Sequence, residues 1–370
     1  MLPNPPLWLV LVAFVCALGP LVFFHELGHY LVARLFGIPA ETFSIGFGQE
    51  LAGWTDRQGT RWKVGWLPLG GYVKFVGDMS PASEPAELDA IPADLRDRAF
   101  QVRPVWQRFL VVLAGPAANF LLATLIFAAI FMTVGGPGTN VIGKVLPNSA
   151  AAAAGVAPGD AILSVAGRAT ADFGDIQSLV FDRPGQTVQL RFKRGDEVRQ
   201  VAVRLAAEDA ADPFGHKVKR GLLGVSPAPL PVTRAVPDAA RTTWVITRSI
   251  AGGIIEMVRG RVSTKEIGGP IRIAQIAGQG ASLGFLPFVQ LVALLSINLG
   301  FINLLPVPML DGGHLFFYGV EAVRRRPLSA HALEWAFRSG LALIVALVLF
   351  TTVNDLGSLG LWERLQRLIG

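Results

Sequence analysis

Four long apolar stretches dominate the pattern of hydrophobic and polar positions in this 370-residue chain. They cover about residues 7–24, 109–134, 286–305 and 341–353, and the first continues in a helical pattern through Leu35. These stretches approach or exceed the roughly 20 residues that a helix needs to cross the hydrocarbon core of a bilayer. The pattern therefore predicts four transmembrane helices.

Between the second and third stretches, residues 140–228 follow a different pattern of short strands separated by turn residues. Val188–Phe192 and Val198–Val203 alternate apolar and polar positions around Arg194-Gly195-Asp196, which is the signature of a β-hairpin. Shorter apolar runs, a glycine-terminated helix and a Pro158-Gly159-Asp160 turn precede them. This part of the chain is predicted to be a small, strand-rich domain inserted between two membrane spans.

The segment after the inserted domain is predicted to be a partly amphipathic connector, with helix breaks at the glycine pairs 252–253 and 268–269. The predicted organisation is therefore an N-terminal membrane half, an inserted domain, a connector and a C-terminal membrane half. Their boundaries are residues 1–135, 136–230, 231–282 and 283–370.

The composition agrees with a membrane protein. Hydrophobic residues make up 52% of the chain and charged residues only 16%, whereas soluble domains usually carry about 25% charged residues. We expect the first stretch to be a span rather than a cleavable signal peptide. It lacks a basic start and leads into a histidine motif instead of a small-residue cleavage site.

The net charge of +6 is scattered along the chain. Because there is no block of lysines and arginines and no basic stripe with interleaved aromatic residues, we expect no nucleic-acid partner. The single cysteine, Cys16, excludes an intramolecular disulfide. It is predicted to pack as a small apolar residue in the first span.

Arginines mark the loops that the positive-inside rule assigns to the cytoplasm. They are Arg96, Arg98, Arg103 and Arg108 before the second span, and Arg324, Arg325 and Arg326 between the third and fourth spans. This orientation places residues 35–108 inside, and both termini and residues 136–280 outside. Residues 362–368 are predicted to form an amphipathic tail at the outer interface.

The end of the first span carries the sequence His25-Glu26-Leu27-Gly28-His29. Histidines four residues apart project from one face of a helix, where both can bind one zinc ion. Glu26 lies beside the first histidine and can act as a general base without binding the metal. Gly28 allows another backbone or a substrate to approach the helix closely. Three ionisable residues at a membrane helix end favour a functional site over a snorkelling polar end.

A catalytic zinc site usually has three protein ligands and one open position, so a third ligand is expected elsewhere. Asp311 is the candidate, because Pro306 and Pro308 interrupt the third apolar stretch just before it. Irregular backbone at membrane depth is tolerated where it lines an enclosed or watery cavity. The orientation above brings Asp311 to the membrane depth of the two histidines. His314 is expected to support the site without binding the metal, and Asn298 to hydrogen-bond between helices.

Three motifs in this order resemble those of the site-2 protease family of intramembrane zinc metalloproteases, of the bacterial RseP type. They are His25-Glu26-x-x-His29, Gly115-Pro116-x-x-Asn119 and Asn303-x-x-Pro306-x-Pro308-x-Leu310-Asp311-Gly312. The resemblance covers nearly the whole chain. It implies that His25, His29 and Asp311 bind Zn²⁺ and that Glu26 is the catalytic base. It also implies that Asn303 holds the substrate or stabilises the oxyanion, a role that suits an amide donor.

Residues 43–75 resemble the family's membrane-associated β-hairpin, whose edge can pair with an unwound substrate strand. A plain interfacial hairpin is the alternative. The residues expected to contact substrate in this hairpin and in the interrupted span are Gly46, Gly48, Gly70, Gly71, Pro306 and Pro308.

Residues 136–230 resemble a circularly permuted bacterial PDZ domain, on the strength of residues 147–160. Leu222, Leu223 and Gly224 then form its carboxylate-binding loop, and a peptide C-terminus is the expected partner. The chain has room for one such domain, where the RseP type carries two. The domain is therefore expected to act either as a peptide-binding regulator or as a steric filter.

The predicted fold is a polytopic α-helical membrane protein with four transmembrane helices, a membrane-associated β-hairpin and one inserted α+β PDZ-like domain. The predicted function is zinc-dependent intramembrane proteolysis of single-span membrane proteins in the inner membrane, for example an anti-sigma factor or a signal-peptide remnant. The alternative is a zinc-binding membrane scaffold or transporter that carries a peptide-binding domain and does not hydrolyse. Glu26 favours the protease, because a structural or transport site needs no base there.

Overall fold

The computed structural model describes residues 5–77, 91–211, 217–261 and 268–358. Its helices are α1 (Leu7–Leu35), α2 (Val105–Thr133), α3 (Ala150–Ala153), α4 (Phe173–Phe181), α5 (Val232–Val258), α6 (Pro270–Ser282), α7 (Phe285–Asn303), α8 (Asp311–Arg324) and α9 (Ala330–Ser358). Its strands are β1 (Ala40–Thr55), β2 (Arg61–Phe75), β3 (Ile142–Val145), β4 (Ala161–Val165), β5 (Arg168–Ala169), β6 (Thr187–Arg194), β7 (Glu197–Arg204), β8 (Ala206–Ala211), β9 (Lys217–Leu222) and β10 (Val225–Pro227). The chain divides into two compact units, one of Met1–Ala123 with Ile246–Gly370 and one of Thr124–Val245.

The four predicted spans are present as α1, α2, α7 and α9, each long and apolar enough to cross a membrane. The fourth helix extends beyond its apolar stretch and begins at Ala330. The third span ends at Asn303, and a new helix begins at Asp311. The prediction that Pro306 and Pro308 interrupt this part of the chain is therefore confirmed.

The predicted hairpin is present as the antiparallel pair β1–β2, which runs from the pairing of Ala40 with Phe75 to that of Thr55 with Arg61. Phe43 is buried at its base and stacks on Trp62 with the ring centroids 4.2 Å apart. Toward the tip, large apolar side chains are exposed, among them Leu51, Trp54 and Trp66. An exposed apolar tip is what a hairpin at a membrane surface requires, since lipid tails can cover it.

The second unit contains the predicted strand-rich domain. Its four-stranded sheet has the order β5-β4-β6-β7, and two further antiparallel pairs join β3 to β10 and β8 to β9. The turn at Gly195-Asp196 connects β6 to β7 as predicted. Helices α3 and α4 cover a core whose fully buried members include Ile142, Ile162, Ile176, Leu190, Phe192 and Leu205. The fold class of four helices able to span a membrane, a β-hairpin and an inserted α+β domain is confirmed.

One predicted helix break is wrong. Gly252 and Gly253 lie inside α5, which continues without interruption to Val258. The space beside both glycines is open. Glycine weakens a helix without ending it, and helical hydrogen bonding continues through both positions. The second glycine pair does mark a boundary, because α6 begins directly after Gly269. The predicted tail at 362–368 lies outside the described residues.

A buried carboxylate secures the beginning of α6. Asp355 in α9 accepts hydrogen bonds from the backbone amides of Gly269 and Arg272, each at 3.0 Å. These amides belong to the first turn of the helix, whose N–H groups have no partner within the helix. The carboxylate therefore ties α6 to the fourth span.

In the inserted unit, Asp160 is buried and forms a two-pronged ion pair with Arg194, whose Nε and Nη2 both lie 2.8 Å from the carboxylate oxygens. The backbone amide of Ala157 donates to the same carboxylate. Burial opposes ionisation of Asp160, but these hydrogen bonds outweigh it and hold the pKa of Asp160 below its usual value.

We predict that Asp160→Asn lowers the free energy of unfolding of the inserted unit by about 1–3 kcal/mol at pH 7, because hydrogen bonds to a charged group are lost. The parent's advantage is present above the unfolded pKa of about 3.9 and disappears as the pH falls through the lower folded pKa. Protease sensitivity of residues 124–245 in the full-length protein, measured against urea at neutral and acidic pH, tests this. Arg220→Gln, in an exposed pair with Glu208, is the control and should change little. Equal effects of both substitutions at pH 7 would contradict the prediction.

Candidate metal centre

Helix α1 brings His25 and His29 together on one face, as their spacing predicts. Their rings meet edge to face with centroids 4.8 Å apart, and their Nε2 atoms are 3.3 Å apart. Both side chains are buried, as is that of Glu26 between them in the sequence. Burial of three ionisable groups in one turn of an apolar helix is costly unless they are neutralised by one another or by an ion.

The third predicted ligand reaches the same point from the first residue of α8. The Oδ2 atom of Asp311 lies 3.1 Å from Nε2 of His25 and 3.6 Å from Nε2 of His29. The three side chains therefore form a group whose potential ligand atoms all lie within 4.8 Å of one another. Almost 300 residues of chain separate the two parts of this group.

The donor set fits zinc. Two imidazole nitrogens and one carboxylate oxygen are common ligands of catalytic zinc and leave its fourth position open. Although Oδ2 of Asp311 is buried against both imidazoles, it has no hydrogen bond of good geometry in the described part of the chain. A buried carboxylate oxygen that faces two ring nitrogens is well placed to share a bound cation with them.

Helix α2 orients both histidines from behind. Nδ1 of His29 donates to the backbone carbonyl of Val111 at 2.8 Å, which leaves Nε2 of the neutral ring with its lone pair toward Asp311. The side-chain amide of Asn119 lies 3.1 Å from Nδ1 of His25. The Oδ1 atom of Asn119 is buried without a partner among the described residues. Rotation of this amide by half a turn lets Oδ1 accept the Nδ1 proton of His25 and frees its Nε2 in the same way.

Two glycines allow α1 and α2 to approach closely enough for these contacts. A Cβ atom at Gly28 would collide with the carbonyl oxygen of Ala114. A Cβ atom at Gly115 would collide with the imidazole of His29 itself. The glycine of the Gly115-Pro116 motif thus makes space for a potential ligand, a role that its sequence position alone does not disclose.

The position of Asp311 depends on the interrupted backbone before it. Met309 adopts a left-handed conformation with φ of 79°, which turns the chain into α8. A Cβ atom at Gly312 or Gly313 would collide with the carbonyl oxygens of Leu305 or Val307. The Asp-Gly-Gly sequence therefore lets α8 begin directly against the loop that carries the two prolines.

A cavity of about 570 Å³ opens at this group of side chains. Glu26 lines it, and so do Asn303, Gly70 and Gly71 among the predicted substrate-contacting residues. The amide nitrogen of Asn303 lies 3.4 Å from Nε2 of His25. The remaining four, Gly46, Gly48, Pro306 and Pro308, do not line the cavity.

Strand β2 forms one wall of the cavity and rests directly on α1. A Cβ atom at Gly71 would be 2.6 Å from a methyl group of Val22 and 3.1 Å from Cγ of Glu26. Val73 of this strand lines the cavity together with Glu26. Gly46 and Gly48 have φ of 84° and 83°, and they bend β1 away from regular pairing. They shape the hairpin rather than the cavity.

Two further polar residues, His314 and Asn298, lie in different surroundings. His314 lines the cavity and packs against Phe337 with ring centroids 5.1 Å apart, outside the group of three ligand atoms. Asn298 is partly exposed, and its amide has no hydrogen bond to any described residue. The predicted hydrogen bond between helices is therefore absent from the described part of the chain.

The predicted PDZ loop lies in the inserted unit, at a separate cavity of about 170 Å³. Leu222, Leu223 and Gly224 line it on one side, and α4 lines it on the other through Ile176 and Val180. Gly224 has φ of 79°, so the loop turns sharply into β10. A groove between a short strand and a helix, closed by such a loop, is the shape that a peptide C-terminus can enter.

This chain is similar in sequence to known proteins over most of its length. A family model described as peptidase family M50 matches residues 13–347. Proteins of Agrobacterium fabrum and Mesorhizobium japonicum are 42% and 44% identical to this chain, cover 94% of it, and are matched over 96% and 98% of their own lengths. Both are named, provisionally, as zinc metalloproteases. Metalloprotease MmpA of Caulobacter vibrioides is 38% identical over 94% of this chain and 95% of its own length.

Among solved structures, the PDZ domain of an SdrC-like protein from Listeria monocytogenes matches 24% of this chain and 85% of its own length. The identity is 22% and the TM-score is 0.19, a similarity too slight to support an inference.

If His29 helps to hold a metal, Gly115→Ala should reduce zinc binding, because the added methyl group displaces the imidazole. We expect zinc affinity to fall by about tenfold to a hundredfold, the effect that loss of a ligand's support commonly has. Zinc content of the purified protein after dialysis measures this. Gly19→Ala in α1 is the matched control, since its methyl group enters open space. Parent-like zinc content in Gly115→Ala would show that the ring position does not matter to the metal.

Proposed function

The chain belongs to peptidase family M50, and from this we propose that it uses zinc to hydrolyse peptide bonds of single-span membrane proteins within or at the edge of the membrane. The family is zinc-dependent, its relatives here are named as metalloproteases, and four helices of the chain can span a bilayer. The observation that carries the proposal is the convergence of His25, His29 and Asp311 beside Glu26 on the wall of one cavity.

In this proposal His25, His29 and Asp311 hold the metal through two imidazole nitrogens and one carboxylate oxygen. Zinc bound there supplies the Lewis acidity that activates a water molecule and polarises the scissile carbonyl. The supports for these ligands are already formed, since Val111 and Asn119 orient the two rings. Such contacts keep the ring nitrogens aimed at the ion.

Glu26 acts as the general base. It follows His25 in the same helical turn and is buried on the cavity wall, where it can take a proton from the attacking water. The same carboxyl group then returns the proton to the leaving amine. Asn303 faces the cavity close to His25, and its amide donates a hydrogen bond to the developing oxyanion.

Strand β2 presents the substrate backbone. The peptide bonds of a transmembrane helix are shielded by its own hydrogen bonds, so the helix must unwind before it can be cut. Gly70 and Gly71 bring the strand edge to the cavity without side chains in the way, and Tyr72 and Val73 continue this wall. An unwound substrate segment can add to this edge as a further strand.

We further propose that the protein lies in the cytoplasmic membrane with its active site near the cytoplasmic side. The arginines before α2 and after α8 support this orientation through the positive-inside rule. The substrate is then a single-span protein already shortened on the outer side, such as an anti-sigma factor or a signal-peptide remnant. The PDZ-like groove at Leu222–Gly224 binds the exposed C-terminus of such a segment.

The substitution Glu26→Gln tests the proposal directly. We expect the variant to retain zinc, because the amide leaves the three ligands in place, while cleavage of a model single-span substrate falls by about 10²–10⁴-fold. Substrate turnover and zinc content are measured on the same detergent-solubilised preparation. Glu41→Gln, which removes a partner of Lys74 on the hairpin surface, is the control. Cleavage by Glu26→Gln at the parent rate would reject the mechanism and favour a zinc-binding protein without hydrolysis.

A further inference from the structure

A partly buried ion pair joins the beginning of α2 to the end of α8. Nη2 of Arg108 lies 2.7 Å from Oε1 of Glu321, and the two side chains are only 15% and 17% exposed. The guanidinium carbon of Arg108 also lies 4.9 Å from the ring centroid of Tyr318, over its face. Nε of Arg108 donates to the backbone carbonyl of Arg103 at 3.0 Å. The guanidinium is thus fixed on three sides.

Helix α8 connects this pair to the proposed zinc site. Asp311, His314, Tyr318 and Glu321 follow one another at intervals of three or four residues, so they occupy one face of the helix. His314 and Tyr318 line the cavity beside the ligands. Both also line a second cavity of about 210 Å³, together with Arg108 and Glu321. One helix face therefore runs from the third ligand to the ion pair.

Helix α2 is the other partner of the pair, and it is the helix that orients the two histidines. Val111 contacts His29 and Asn119 contacts His25, one and three turns beyond Arg108. The pair therefore joins the helix that supports two ligands to the helix that carries the third. Such a connection sets the angle at which α8 presents its first residue to the histidines.

A gain in folding stability does not by itself explain the ion pair of Arg108 and Glu321. Even partial removal of two charged groups from water is costly, and their attraction often only balances this cost. An arginine whose N–H donors are fixed in direction is instead well suited to hold the helix of its partner in one orientation. The beginning of α8 is anchored by the close packing of Gly312 and Gly313, so the far end is where the helix could otherwise swing.

We propose that Arg108 and Glu321 are positioning residues for the third metal ligand, through which the geometry of α8 controls the affinity of the site for zinc. This rests on the proposed function, in which Asp311 binds the metal. When the pair is broken, α8 turns about its anchored beginning, and the carboxylate of Asp311 leaves the position at which it faces both imidazoles.

The test uses the full-length, zinc-loaded protein in detergent and measures the rate of zinc transfer to a chelator. Glu321→Gln and Arg108→Gln should each release zinc about ten to a hundred times faster than the parent, the effect typical of groups that support a ligand. Arg108→Lys keeps the charge but not the fork and should release zinc at an intermediate rate. Hydrogen exchange in residues 311–324 should increase in the two glutamine variants.

Glu334→Gln is the matched control, because it breaks an exposed ion pair with Arg338 in α9 that lies outside both cavities. It should release zinc at the parent rate. His25→Ala separates the two hypotheses, since it should abolish zinc binding if the proposed site is right. A parent that binds no zinc, or a His25→Ala variant that binds it normally, would reject the zinc site itself. Normal zinc binding by the parent, with parent-like release from Glu321→Gln and Arg108→Gln, would reject only the positioning role.

Discussion

The buried Oδ2 atom of Asp311, which lies 3.1 Å and 3.6 Å from the Nε2 atoms of two imidazoles, is the constraint on which the rest of the site depends. A charge in this position is destabilising unless a cation compensates it. The surrounding features hold the side chains of His25, His29 and Asp311 together. They include the interrupted third span, the left-handed Met309 and the two glycines that follow Asp311.

Helix α2 connects these features, although none of the proposed ligands belongs to it. Gly115 gives the His29 ring its space, while the carbonyl of Val111 and the amide of Asn119 contact the Nδ1 atoms of the two rings. Ser296 in α7 donates to the backbone carbonyl of Asn119 and so joins the third span to the same helix. A preformed set of supports of this kind reduces the reorganisation that metal binding requires.

The sequence allowed those parts of the structure to be predicted that follow from periodicity and side-chain chemistry. The four spans, the two histidines on one helical face and the break at Pro306 and Pro308 are of this kind. The contact with Val111 could not be predicted, because a backbone carbonyl leaves no trace in residue identity. The pairing of Arg108 with Glu321 joins positions 213 residues apart, and it depends on how two helices cross. The prediction of a helix break at Gly252 and Gly253 was wrong, because the flanking residues keep α5 helical.

The central claim, that residues from α1 and α8 bind one zinc ion, is tested most directly by X-ray absorption at the zinc edge of the purified protein. The account predicts two imidazole nitrogens and at least one oxygen at about 2.0–2.2 Å. Asp311→Asn should lose the metal or show an altered oxygen shell. A spectrum without imidazole ligands, or one that Asp311→Asn leaves unchanged at full zinc occupancy, would contradict the account.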